Sequence, residues 1–223
     1  MDAFINHIRY GLSRPLPGAE AQYRMAHAVR RYTGAIPPGA RKAGVLILFF
    51  PKNDNWHLVL IERESSNPND RHKGQISFPG GQYDPADTNL QQTALREAWE
   101  EVQAPIDSIE VLGPLTELFI PVSNFLVHPY VAWTPHTPAF SPQISEVKTI
   151  LEVPFDHFQN PANLGRIDIE VAQGLRLPDV PYFDVQGRVL WGATAMILGE
   201  LLAVANPDPS FLNHLSISGR EYP

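Results

Sequence analysis

Residues 94–102, ALREAWEEV, set three carboxylates, Glu97, Glu100 and Glu101, beside one guanidinium, Arg96. Acids three and four apart on a helix are surface neighbours, and like charges at that spacing cost about 0.2–0.5 kcal/mol per pair. Near the C-terminal end of a helix they also meet the unfavourable pole of its dipole. A divalent cation among the acids would relieve both costs, because hard cations take oxygen ligands and bridge carboxylates to substrate phosphates. Upstream, FPGG ends on Gly80 and Gly81, where a backbone without Cβ atoms lets a ligand come close. Strand, Gly-Gly loop and acidic helix, in that order, suit a metal–diphosphate site. The competing reading is a solvated helix face, since charges opposite an apolar stripe are what surface helices ordinarily carry.

The acids need a helix to hold them, and residues 90–103 supply the pattern. At 100° per residue, Ala94, Ala98 and Val102 share a face flanked by Leu95 and Trp99, which places the acids on the opposite, solvated side. Pro105 stops the helix. Ahead of it, AGVLILFF (43–50) and WHLVLIER (56–63) flank the turn cluster PKNDN as a β-hairpin. Residues 64–74 are a polar loop, QISF (75–78) is a short strand, and 79–89 is a turn-rich loop. IEVLGPLTELFI (109–120), LVHPYVAWT (126–134) and EVKTILEV (146–153) read as strands, with PFDHFQ as a helical turn. RIDIEVA (166–172), YFDV (182–185) and RVLW (188–191) are shorter strands, and GATAMILGELLAVA (192–205) is a second strong helix. At the start, 2–10 and 19–32 carry helical patterning interrupted by Pro15 and Pro17, and TGAIPPGA (33–40) is a linker. Strands mixed irregularly with a few helices predict an α+β fold.

With 223 residues, 43% of them hydrophobic and 18% charged, the chain has material for one substantial core. A net charge of -7 argues against a nucleic-acid partner, though not against a small anionic ligand whose charge a metal can balance. Cysteine is absent, which excludes disulfides, thiolate catalysis and cysteine-held metals. No apolar run approaches the ~20 residues of a membrane span. The start, MDAFINHIRYGLSRPLPG, has an acid at position 2 and no apolar core of a signal peptide, so the expected location is cytoplasmic. His57, His72, His128 and His136 are scattered and lack the spacing of a helical zinc pair.

GGQYDPADTNLQQTALREAWEEV resembles the Nudix box, the loop–helix signature of the Nudix hydrolases. Gly81 opens the pattern, and Arg96, Glu97, Glu100 and Glu101 close it. Asp87 stands where the box has a glutamate, the interval before Arg96 is one residue longer, and Gln103 replaces the final glycine. Together with LVLIER and KGQISFPGG, these features are similar to the coenzyme A pyrophosphatase branch, and the likeness runs over roughly residues 40–205.

The resemblance implies an α/β/α sandwich about a mixed β-sheet. Residues 36–223 would form the hydrolase domain, and 1–35 an N-terminal helical extension. Glu97 and Glu101 would be the main ligands of Mg2+ or Mn2+, with Glu100 as a further ligand. Arg96 would hold them, partnered by Asp87, and Glu146 is a candidate general base or extra ligand. Gly80 and Gly81 would approach the substrate; Arg63, Arg71 and Lys73 would bind the 3′-phosphate of coenzyme A or keep a loop soluble. Phe119, Phe125 and Tyr130 line an acyl pocket or belong to the core. The implied reaction splits the diphosphate of coenzyme A or acyl-CoA into 3′,5′-ADP and (acyl) 4′-phosphopantetheine. An ADP-sugar, dinucleotide or dNTP substrate stays open, as does a non-catalytic nucleotide-binding module. A homodimer is a further expectation of the family.

Overall fold

The computed structural model describes residues 2–27, 35–65, 72–171 and 174–206. In chain order it has α1 (Asp2–Leu12), α2 (Gly18–Tyr23), β1 (Arg41–Lys52), β2 (Asn55–Arg63), β3 (Ile76–Ser77) and β4 (Gly80–Gln82). The acidic helix α3 (Leu90–Val102) follows, then β5 (Glu110–Pro114), β6 (Leu118–Ile120), β7 (Phe125–Trp133) and β8 (Val147–Pro154). β9 (Leu164–Val171), β10 (Leu175–Val185), β11 (Arg188–Trp191) and α4 (Gly192–Ala205) complete it.

β1 is the spine of an eight-stranded sheet in the order β3-β2-β1-β7-β5, to which β4, β6 and β8 add on β1, β7 and β2. β1 runs parallel to β7 and antiparallel to β2, so the sheet is mixed. The hairpin closes through Asn53 and Asp54, both at positive φ (50° and 61°), as a two-residue hairpin turn requires. The unbroken apolar run of β1 serves two cores, because side chains alternate across a sheet. Leu46, Leu48 and Phe50 join Ala94, Ala98 and Val102 under α3. Ile47 and Phe49 join Ile5 and Ile8 of α1 and the buried face of α4 on the other side. Helices on both faces of a mixed sheet make the α/β/α sandwich expected from the sequence. A second, three-stranded sheet, β11-β10-β9, leads into α4.

Four expectations need correction. The loop expected over 79–89 begins with strand β4, which pairs antiparallel to β1 through Gly80, Gly81 and Gln82. The helix expected over 19–32 stops at Tyr23, where Arg24, Met25 and Ala26 tighten into turns on Ala21, Gln22 and Tyr23; residues 28–34 lie outside the described ones. The single strand expected over 109–120 breaks into β5 and β6, both paired to β7, because Thr116 turns aside. Its N–H and hydroxyl donate to the fully buried Glu200 of α4, which also takes Gly18 N–H and Gln22 Nε2. That carboxylate ties α2, the β5–β6 link and α4 together. YFDV begins earlier than expected, as part of the longer β10 paired to β9. Among the described residues no helix is long and apolar enough to cross a membrane.

Candidate active site

Gly44 sets how closely α3 lies on the sheet. A Cβ there would meet Leu90 O and come 2.9 Å from Ala94 N, so only glycine lets the helix backbone rest on β1. At its start, Asn89 Oδ1 accepts Gln92 N–H at 2.9 Å, the usual role of an N-cap asparagine. At its end Gln103 is left-handed, φ 54°, with its N–H on Trp99 O and Ala104 N–H on Ala98 O. That is the geometry for which glycine is preferred, which accounts for a glycine in the family pattern. Replacing Gln103 by glycine is therefore expected to stabilise the fold by about 1 kcal/mol, read as a raised urea midpoint.

The acids do not all face water. Glu101 is 1% exposed, while Trp99, expected beside the core, is 55% exposed. The helical angles explain both: seven residues at 100° bring Glu101 to within about 20° of Ala94, whereas Trp99 lies about 140° away. Glu101 Oε2 accepts Gly80 N–H at 2.8 Å, and its Oε1 stands 3.5 Å from Arg63 Nη1. Glu97 lies against Gly81, whose missing Cβ would fall on its carboxylate.

Arg96 collects the others. Its Nε and Nη2 donate to Asp87 Oδ1 and Oδ2 at 2.9 and 3.0 Å, and Nη1 reaches Glu97 Oε1 at 2.9 Å and Glu100 Oε2 at 3.0 Å. Asp87 is buried and also accepts Thr93 Oγ1 at 2.8 Å. The shorter acid thus reaches Arg96 with both oxygens. Hydrogen bonds from Arg96 hold the Asp87 carboxyl down from the ordinary 3.8 to about 2. A lowered acid pKa contributes stability that is complete above the unfolded value and lost as pH falls through the folded one. Asp87 should accordingly supply about 2 kcal/mol at neutral pH, fading from about pH 4 towards pH 2. Urea titrations of the wild type and Asp87→Asn should show the difference between them shrinking across that window.

Glu97 and Glu101 move the other way. Burial raises both, Glu101 to about 8, against the pull of Arg96 on Glu97 and of Gly80 N–H and Arg63 on Glu101. The charge of Glu146 pushes both further up, which puts that exposed loop acid within electrostatic reach of the helix. Its own N–H bonds Gln143 O, and its carbonyl takes Glu64 N–H at 2.7 Å. Among the described residues no three acids or imidazoles close on one point, because the glutamates are drawn to Arg96, Arg63 and Gly80. The donor set nevertheless fits a hard divalent cation: hard carboxylate oxygens one helical turn apart, incompletely neutralised by the chain, with Glu97 seated against Gly81 where no Cβ excludes it. A cation entering there would displace the proton that burial favours on Glu101.

Of the other expected site residues, Arg63 turns to Glu101, and Lys73 pairs with Glu64 at 2.6 Å and Ser65 O at 2.9 Å. Arg71 lies outside the described residues. Phe125 packs on the core with the Arg41 guanidinium 4.0 Å over its ring, and Tyr130 packs on the α3 side. Sequence reading passed over Thr93, whose buried hydroxyl has no signature beyond its place one turn before Arg96.

The sequence model of the NUDIX domain matches residues 40–171, more than half of the chain. A protein of Pectobacterium atrosepticum named as an uncharacterized Nudix hydrolase, NudL, is 36% identical over 151 residues, covering 68% of this chain and 77% of its own. The mouse peroxisomal coenzyme A diphosphatase NUDT7 is 33% identical over 143 residues, covering 64% of this chain and 58% of its own. Among solved structures, the Nudix hydrolase RenU of M. smegmatis superposes with a TM-score of 0.50 at 17% identity, covering 79% of this chain and 92% of its own. That likeness concerns the fold alone. The family match and the NudL relative settle the assignment: the chain belongs to the Nudix hydrolases, as a pyrophosphohydrolase.

Proposed function

We propose that the chain hydrolyses the diphosphate of coenzyme A or acyl-CoA with Mg2+ or Mn2+. The observation that carries the reaction class is the placement of Glu97 and Glu101 one turn apart on α3, under Gly80 and Gly81 and within electrostatic reach of Glu146. The substrate class is supported by the mouse relative named as a coenzyme A diphosphatase.

Glu97, Glu100 and Glu101 would hold the cation. Bound there, it would neutralise phosphate oxygens and make a water molecule more acidic. Arg96 keeps Glu97 and Glu100 in place, and Gly80 N–H does the same for Glu101. Glu146, exposed on its loop, would take a proton from water as it attacks phosphorus. Water adds to one phosphorus and the bridging P–O bond breaks, which leaves 3′,5′-ADP and (acyl) 4′-phosphopantetheine. Arg63, beside Glu101, would meet the diphosphate or the 3′-phosphate, and Lys73 and Arg71 are assigned to the 3′-phosphate. In this reading residues 36–223 are the hydrolase domain and 1–35 a helical extension.

The test is incubation of the pure chain with Mg2+ or Mn2+ and free coenzyme A, short- and long-chain acyl-CoA, ADP-ribose, a dinucleotide and a dNTP, with products resolved by chromatography. Release of 3′,5′-ADP is expected. If no thioester and no free coenzyme A yields it, the substrate assignment is wrong, and turnover of another substrate would name the replacement.

A further inference from the structure

We propose that Thr93 is a positioning residue of this site: through Asp87 and Arg96 its hydroxyl sets where Glu97 and Glu100 stand. The proposal rests on the reading of those glutamates as cation ligands. Thr93 itself touches neither glutamate.

The chain of contacts is continuous and short. Thr93 Oγ1 donates to Asp87 Oδ2 at 2.8 Å. The same oxygen takes Arg96 Nη2 at 3.0 Å and Asp84 N–H at 3.2 Å, while Oδ1 takes Arg96 Nε at 2.9 Å. Arg96 then spends Nη1 on Glu97 and Glu100 together. A guanidinium is a rigid planar fork, so the angle at which it meets one carboxylate fixes where its remaining N–H groups point. The plane of the Asp87 carboxylate, which takes two N–H groups of Arg96, therefore aims that side chain, with Gln82 O as a longer third acceptor at 3.3 Å. Arg96 alone could follow a rotating carboxylate; a donor anchored elsewhere cannot.

Two such donors meet Oδ2, Asp84 N–H at 3.2 Å and the Thr93 hydroxyl at 2.8 Å, and Thr93 is the shorter contact and the one carried on α3 itself. It is fully buried on α3 and pinned against β1, where its Cβ lies 3.2 Å from the position a Cβ would take on Gly44. Asn89 O, at 3.3 Å, is the longer alternative acceptor for that hydroxyl, and Asp87 Oδ2 at 2.8 Å is the shorter. Asp87 is one methylene shorter than the glutamate of the family pattern, and the loop before Arg96 is one residue longer. The hydroxyl on Oδ2 gives this shorter acid a fixed orientation. Support of a ligand from outside the coordination sphere typically carries about tenfold to a hundredfold in metal affinity.

The experiment measures Mn2+ binding to the full chain by electron paramagnetic resonance, without substrate, for the wild type, T93V, T93A and T93S. T93V keeps the shape and removes the hydroxyl; T93A also lacks it and cannot overfill the space under Gly44. Both are expected to bind Mn2+ about tenfold more weakly, and T93S to stay within about twofold of the wild type. In turnover assays the metal dependence should shift by the same factor, with kcat at saturating metal changing less. Equal Mn2+ affinity in T93V and the wild type overturns the proposal, as does equal weakening in T93V and T93S, which would indicate packing. A wild type that binds no Mn2+ at all overturns the cation reading, and this proposal with it.

Discussion

Glu101→Gln should leave the fold intact and lower kcat/KM at least about a hundredfold. The two halves of that expectation have separate causes. Glutamine matches glutamate in size and keeps an oxygen for Gly80 N–H, which Glu101 now accepts at 2.8 Å. Burial raises the Glu101 carboxyl to about 8, so the fold bears the charged form at a cost and gives up little when the charge goes. The site loses the buried carboxylate that accepts Gly80 N–H. Groups that merely support a metal ligand carry about tenfold to a hundredfold, and a ligand itself should carry no less. Steady-state kinetics with Mg2+ beside a thermal melt would measure both quantities. Activity within about tenfold of the wild type, with an unchanged melt, would remove Glu101 from the ligand set.

How far the sequence exposed this site depends on the kind of interaction. Strands and helices followed from apolar runs and periodicity, and β1, β2, α3 and α4 stand where the pattern put them. The breaks did not: Thr116 leaves the strand ladder for Glu200, 84 residues away, and no local pattern records so distant an acceptor. Glu97, Glu100, Glu101 and Arg96 were legible because their spacing is itself the chemistry. The burial of Glu101 was legible too, from the helical angle it shares with Ala94, but a carboxylate is so rarely buried that charge suggested water instead. Arg63 and Thr93 were not legible as supports of the site. Each works through a contact between elements far apart in the chain or with a loop, and the residue type alone does not say where its hydrogen bond goes.

Gly81→Ala tests the same arrangement by shape, with no charge altered. The added Cβ would fall on the carboxylate of Glu97, including Oε1 at 2.6 Å, so the side chain of Glu97 has to leave its place. What it meets is the far end of a flexible side chain, which can swing away at little cost to the fold. The melting temperature should therefore fall by no more than about 4 °C. Glu97 would lose the Arg96 Nη1 contact at 2.9 Å, and its oxygens would be displaced by an ångström or more from where a cation could use them. A displacement of about 1 Å in a catalytic constellation costs on the order of a hundredfold, and that is the expected fall in kcat/KM. Gly39→Ala is the matched control, since a Cβ there meets nothing within 4 Å, and it should leave both quantities unchanged. Comparing G81A with G39A by kinetics and melting separates the position of one carboxylate from the general effect of adding a methyl group to a glycine. If G81A turned over within about twofold of the wild type, Glu97 could not be acting from the place it occupies under Gly81.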